Sequence, residues 1–176
     1  MVRKVSFSEQ EITLDAIANY HADVQAGLFE FFNGNSEKLK QRYSLERKDK
    51  ALNDALSELD LSSSMNVLAA VEALIRIDYL NRVYQKKRDQ LSRKMRALHD
   101  EKANKARLED DLIQLWRSEV AVKRVLLDDL TGAFKYRHWL AHGRYWSAKL
   151  GRKYSFESVF EIAQEFSAVL EAHQRD

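Results

Sequence analysis

Apolar residues along this chain recur at steps of three to five rather than two, which predicts helices and not strands. "SEQE" at Ser8–Glu11 has the spacing of a capping box, and Ile12, Ile17, Tyr20, Val24, Leu28 and Phe31 follow as a stripe. A first helix is therefore expected from Ser8 to the "NGN" at 33–35, with Gly34 in the left-handed conformation after it. Ser36 is suited to cap a second helix carrying Leu39, Tyr43, Leu52, Ala55, Leu56 and Leu59, with a bend or break in the charged "LERKDK" at 45–50. "DLSSS" at 60–64 reads as a connection.

A third helix opens with "MNVLAAVEALIRIDYLNRVY" and then turns polar: residues 86–107 hold nine Lys or Arg and three acids. Leu91, Met95, Leu98, Lys102 and Lys105 continue a seam through that run. The expectation is a solvated helical hairpin that leaves the globule, turns near 100–106 and returns through "LEDDLIQLW". Leu108, Leu112, Leu115, Glu119, Val122, Leu126 and Leu130 mark the returning helix, which "TG" at 131–132 interrupts. "SAKLGRKYS" is a loop, and Ser155 caps a last helix whose inward face is Phe156, Val159, Phe160, Ala163, Phe166 and Leu170. The predicted fold is one all-α domain over 1–176, a bundle of about five helices, two of them long, with a protruding polar hairpin.

Composition sharpens this picture. Proline is absent and glycine occurs 5 times in 176 residues, so helix breakers are scarce. With no cysteine there is neither a disulfide framework nor a thiolate metal site. The start, "MVRKVSFSEQEI", lacks the apolar core of a secretory signal and no run approaches a membrane span, so a cytoplasmic protein is expected. Net charge is only +2, and its distribution says more than its sum.

Between Leu130 and Phe156 there is no Asp or Glu, in a chain with 27 acids. The same window carries Lys135, Arg137, Arg144, Lys149, Arg152 and Lys153, interleaved with Phe134, Tyr136, Trp139, Tyr145, Trp146 and Tyr154. Cations attract a phosphate backbone and aromatic faces stack on unpaired bases. Core packing accounts for Trp139 but not for the missing acids, so a polyanion-facing surface is the favoured reading.

Within the window, "RHWLAHG" brings an arginine and two histidines together. RNA is cleaved without a metal when its 2′-hydroxyl attacks the adjacent phosphate, given a base, an acid for the leaving 5′-oxygen, and positive charge on the phosphorane. Histidine serves as base or acid near neutrality, and arginine grips phosphate oxygens while keeping its charge. His138 and His142 share one helical face, whereas Arg137 and His142 are about 140° apart, so the helix must end for both to meet one phosphate. Gly143 is placed to end it. A second Arg–His match, Arg93 and His99, lies in the charged hairpin and reads as accidental; His21 and His173 read as ordinary helix residues.

Arg137, His138 and His142, followed by Gly143, resemble the Arg–polar–spacer–His signature of the HEPN superfamily (higher eukaryotes and prokaryotes nucleotide-binding). That resemblance covers about six residues. It implies a helical, usually homodimeric, metal-independent endoribonuclease of toxin–antitoxin or antiviral defence type, needing no cofactor. The motifs of two protomers would share a cleft, and a nucleotidyltransferase protein would be the antitoxin partner. In this reading His142 is the general acid or base, Arg137 the transition-state clamp, and His138 an orienting or second proton-transfer group. Lys135, Arg144, Tyr145, Lys149, Arg152 and Lys153 would hold the RNA. Some of these toxins are modified on a tyrosine two residues after the motif histidine; here that position is Arg144 and the tyrosine is Tyr145. The alternatives are a non-catalytic helical module that binds RNA or a nucleotide, and a purely structural protein. A metal hydrolase is disfavoured because no acid within 131–155 joins the two histidines locally.

Overall fold

A computed structural model of the chain describes residues 4–34, 36–44 and 47–175. These form seven α-helices and no strand. They are α1 (Leu14–Asn33), α2 (Glu37–Arg42), α3 (Lys48–Tyr84), α4 (Gln90–Lys102), α5 (Gln114–Glu119), α6 (Arg124–Ala141) and α7 (Phe156–Arg175). A 3₁₀ turn at Ala103–Lys105 and a π-helical turn at Leu108–Ile113 join α4 to α5. No helix among the described residues is long and apolar enough to cross a membrane.

The axis of the fold is α3, 37 residues and about 55 Å long, against which α1, α4, α6 and α7 all pack. The expected connection at 60–64 does not exist. Leu59, Ser63, Val67, Val71 and Ile75 follow one another at steps of four and are all buried, so Ser63 continues the stripe as its small member. The Ser62 hydroxyl donates to the Leu59 carbonyl, 2.9 Å, and satisfies itself without leaving the helix. The break comes earlier, between the end of α2 at Arg42 and the start of α3 at Lys48; Ser36 caps the start of α2 as expected, accepting from the Leu39 amide. Of the predicted break over 45–50, Leu45 and Glu46 lie outside the described residues, as does Asn35 of "NGN".

At the N-terminus the capping box at Ser8 is not used. Thr13 caps α1 instead, its Oγ1 accepting from the Ala16 amide at 3.1 Å. Gly34 is extended (φ −70°) rather than left-handed. The inward stripe is Ile17, His21 and Phe32, with Leu14, Val24 and Leu28 half-buried, whereas Tyr20 is 60% exposed. A histidine takes the inward place because His21 Nε2 meets Asp60 Oδ1 at 2.8 Å and its ring stacks on Phe156 at 3.9 Å.

The polar hairpin does not leave the globule. α4 lies along α3, burying Leu91, Ser92 and Met95 while Arg93 and Lys94 stay in solvent. A narrow apolar stripe is enough to dock a helix whose remaining face is basic. The turn into α4 is fixed by Arg82, whose guanidinium donates to Asp78 (2.8 Å), Asp89 (3.2 Å), Ser92 (3.2 Å) and the His173 carbonyl at the end of α7 (3.4 Å). Burial pushes the Asp89 carboxyl up, but the Ser92 hydroxyl and amide and the Arg82 charge outweigh it and hold it below the usual range. His99 sits against Tyr79 and Tyr84, so the second Arg–His match is packing.

Past α5 the chain breaks at 120–123, and α6 then runs unbroken through Thr131 and Gly132. The expected interruption there fails because Thr131 Oγ1 donates to the Leu127 carbonyl at 2.7 Å and Gly132 makes room for a neighbour. A Cβ at position 132 would collide with the Tyr154 hydroxyl. Tyr154 cannot retreat freely, since its ring stacks on the buried Tyr136 at 5.0 Å. Gly132→Ala is expected to cost about 1–3 kcal/mol through this overpacking, outweighing the helix propensity it adds. A thermal melt checks it, and an unchanged midpoint would show that Tyr154 moves without penalty. Ser155 caps α7 as expected, its Oγ accepting from the Ser158 amide.

Candidate functional site

The site lies where α6 ends. Ala141 is its last helical residue and His142 the C-cap; Gly143 follows with φ +75° and Arg144 with φ +58°. The Gly143 amide donates to the Leu140 carbonyl and the Arg144 amide to the Trp139 carbonyl. This Schellman arrangement satisfies the last carbonyls of α6 and turns the chain sharply. Glycine supplies the positive φ at no steric cost; Arg144 is a non-glycine residue held in the same region.

That turn leaves His138 and His142 exposed side by side, ring centroids 4.3 Å apart and planes at 54°. Trp146 stands over both at 6.1 and 6.2 Å, with the exposed Tyr145 against its edge. Trp139, half-buried against the core, donates its indole N–H to the Trp146 carbonyl at 2.7 Å and so pins the returning loop. Beneath His138 opens a cleft of about 390 Å³, lined by Lys135, Trp139, Trp146 and Lys149 and, from the π-helical turn, Glu109. Burial pushes the Glu109 carboxyl above its ordinary range; Lys135 draws it down, Asp110 raises it and His138 draws it down again.

The arginines face elsewhere. Arg137 is not among the residues lining the cleft; its guanidinium meets Glu72 Oε2 of α3 at 2.8 Å, while Arg76 holds the other oxygen at 2.8 Å. Arg144 makes a two-pronged pair with Glu58 at 2.7 and 3.1 Å. Arg152 reaches Asp129 at 2.9 Å and lies over the Tyr154 ring at 5.4 Å. Lys153 is exposed. The acid-free window therefore faces acids that lie outside it in sequence: Glu58 and Glu72 from α3, Glu109 from the π turn and Asp129 from the first half of α6. Only the Glu72–Arg76 spacing announces such a pair locally.

Thus the chain brings Lys135, His138, His142, Trp146 and Lys149 together and sends Arg137, Arg144 and Arg152 into ion pairs at their margin. Among the described residues no group of three or more His, Cys, Asp or Glu stands where it could hold a metal ion. Comparison of the chain with known protein families, with curated proteins and with solved structures found no match.

Proposed function

We propose that this protein is an endoribonuclease that cleaves RNA by attack of the 2′-hydroxyl on the adjacent phosphate. The observation that carries the reading is the pair of exposed imidazoles at the end of α6, beside a cleft walled by two lysines and two indoles. One imidazole takes the 2′-hydroxyl proton as the 2′-oxygen bonds to phosphorus. The P–O5′ bond breaks, and the 5′-oxygen leaves with a proton from an acid on the far side of the phosphorus. Entering and leaving oxygens lie roughly in line. Two rings 4.3 Å apart stand on one side of such a centre, so the far acid comes from a second protomer, His142 of one copy facing that of another. Arg137 offers Glu72 one prong and keeps further donors for a phosphate oxygen. Lys135, Lys149 and Lys153 would neutralise the backbone, with Tyr145 and Trp146 as stacking faces.

A second reading, an RNA-binding module without chemistry, draws on the same geometry: Arg137, Arg144 and Arg152 are each already matched by a carboxylate. The product ends separate the two. Purified protein incubated with mixed RNA in EDTA is expected to leave 2′,3′-cyclic phosphate and 5′-hydroxyl ends. Retention of RNA with no cut strands, at any protein concentration that binds it, favours the binding module.

A further inference from the structure

We propose that the cleft beneath His138 is a nucleobase subsite that selects guanine, with Glu109 reading the base edge, Lys135 its carbonyl side, and Trp146 its face. This inference rests on the ribonucleolytic reading for its biological meaning and on the cleft's own chemistry for its content.

A carboxylate is out of place in a cleft built for a polyanion unless it has donors to accept. Glu58, Glu72 and Asp129 are each consumed by an arginine. Glu109 is different: among the described residues it makes no ion pair or hydrogen bond, and Lys135 and His138, which line the cleft with it, act on its charge only through space. Its placement is a product of the wide turn at Leu108–Ile113, which sends Leu112 and Ile113 into the core and leaves Glu109 half-buried at the rim. π-Helical turns are rare and gather at functional sites.

The cleft's volume of about 390 Å³ falls in the range of small-molecule pockets. One wall is preorganised by the bond between the Trp139 indole and the Trp146 carbonyl. Guanine presents two parallel donors, N1–H and N2–H, that match the two oxygens of a carboxylate, and O6 and N7 acceptors that match a lysine. Adenine and cytosine set an acceptor beside their single amino group, which a carboxylate repels. Uracil flanks its one N–H with two carbonyls. A carboxylate and an ammonium on one rim therefore fit guanine best. With its base seated there, a guanosine carries its 2′-hydroxyl and 3′-phosphate towards His138 and His142, so cleavage falls on the 3′ side of G.

The test is a tryptophan-fluorescence titration with the 3′-monophosphates of guanosine, adenosine, cytidine and uridine, on wild type and on Glu109→Gln, with folding checked by circular dichroism. Guanosine 3′-monophosphate is expected to bind at least about ten-fold more tightly than the others, as one bidentate base contact provides. Glu109→Gln should remove that preference while leaving the other three affinities in place, and Trp146→Ala should weaken all four. Equal binding of the four, preference for another base, no binding at millimolar concentration, or a preference that survives Glu109→Gln would each overturn the subsite. Cleavage of RNA without regard to base would overturn it and leave the ribonuclease standing. Guanine preference with no cleavage would keep the subsite and remove the ribonuclease.

Discussion

Arg82→Ala is expected to lower the unfolding free energy by about 3–5 kcal/mol, the cost of leaving a buried charge without its partner. Arg82 and Asp78 are an i,i+4 pair with side chains only 2% exposed. Removing the guanidinium strands the Asp78 carboxylate, to which, among the described residues, the Gln174 amide at 3.0 Å then remains, and empties the space over the Trp116 ring. It also unties three elements at once, because the same group holds the turn before α4 and the last turn of α7. Urea denaturation monitored by circular dichroism measures the loss. Coupled replacement of both members, Arg82→Met with Asp78→Leu, is expected to recover part of the loss, since apolar groups need no partner. A loss below about 1 kcal/mol for Arg82→Ala would mean that water replaces the guanidinium and that the network does not organise the fold.

His142→Ala is expected to reduce the rate of RNA cleavage by about 10²- to 10⁴-fold, the range for removing a positioned proton-transfer group. Stability should change little, because His142 is exposed and the backbone bonds that close α6 involve none of its side chain. Arg137→Ala should also slow cleavage. Its fold should survive because Glu72 retains Arg76. The decisive comparison is single-turnover cleavage by the three proteins at matched circular dichroism, in EDTA. Equal rates would place the chemistry outside α6 or in a contaminant. A slow His138→Ala beside an unaffected His142→Ala would exchange the roles of the two imidazoles.

Several features were legible in the linear pattern for simple reasons. The caps at Ser36 and Ser155, the inward face of α7 and the all-helical class follow from local spacing alone. So does the end of α6 at Gly143, where a positive φ is needed. What misled was the assumption that small polar residues mark connections. Ser62–Ser64 and Thr131–Gly132 are interior helix positions, chosen for what packs against them, and that neighbour lies elsewhere in the chain. High charge misled in the same way at α4. Nine cations over 86–107 say that most of that run is wet, but the narrow stripe of Leu91, Ser92 and Met95 is what docks it. At the site, residue types and their pairing across one helical turn could be read; the balancing acids could not. Glu58 and Arg144 are 86 positions apart and pair only because α3 passes the end of α6.

The π-helical turn behind the cleft amounts to a surplus of one residue. Its Leu112 amide donates to the Arg107 carbonyl, five residues back instead of four. Excising a single residue there would let the turn relax to ordinary helix and would swing whatever precedes the excision by about 100° relative to the core. The rim carboxylate would then face solvent while Leu112, Ile113 and Trp116 stayed where they are. A lineage carrying this chain could thus gain or discard the carboxylate at this rim by one codon, with Ala106 and Leu108, which precede it against the core, having to repack.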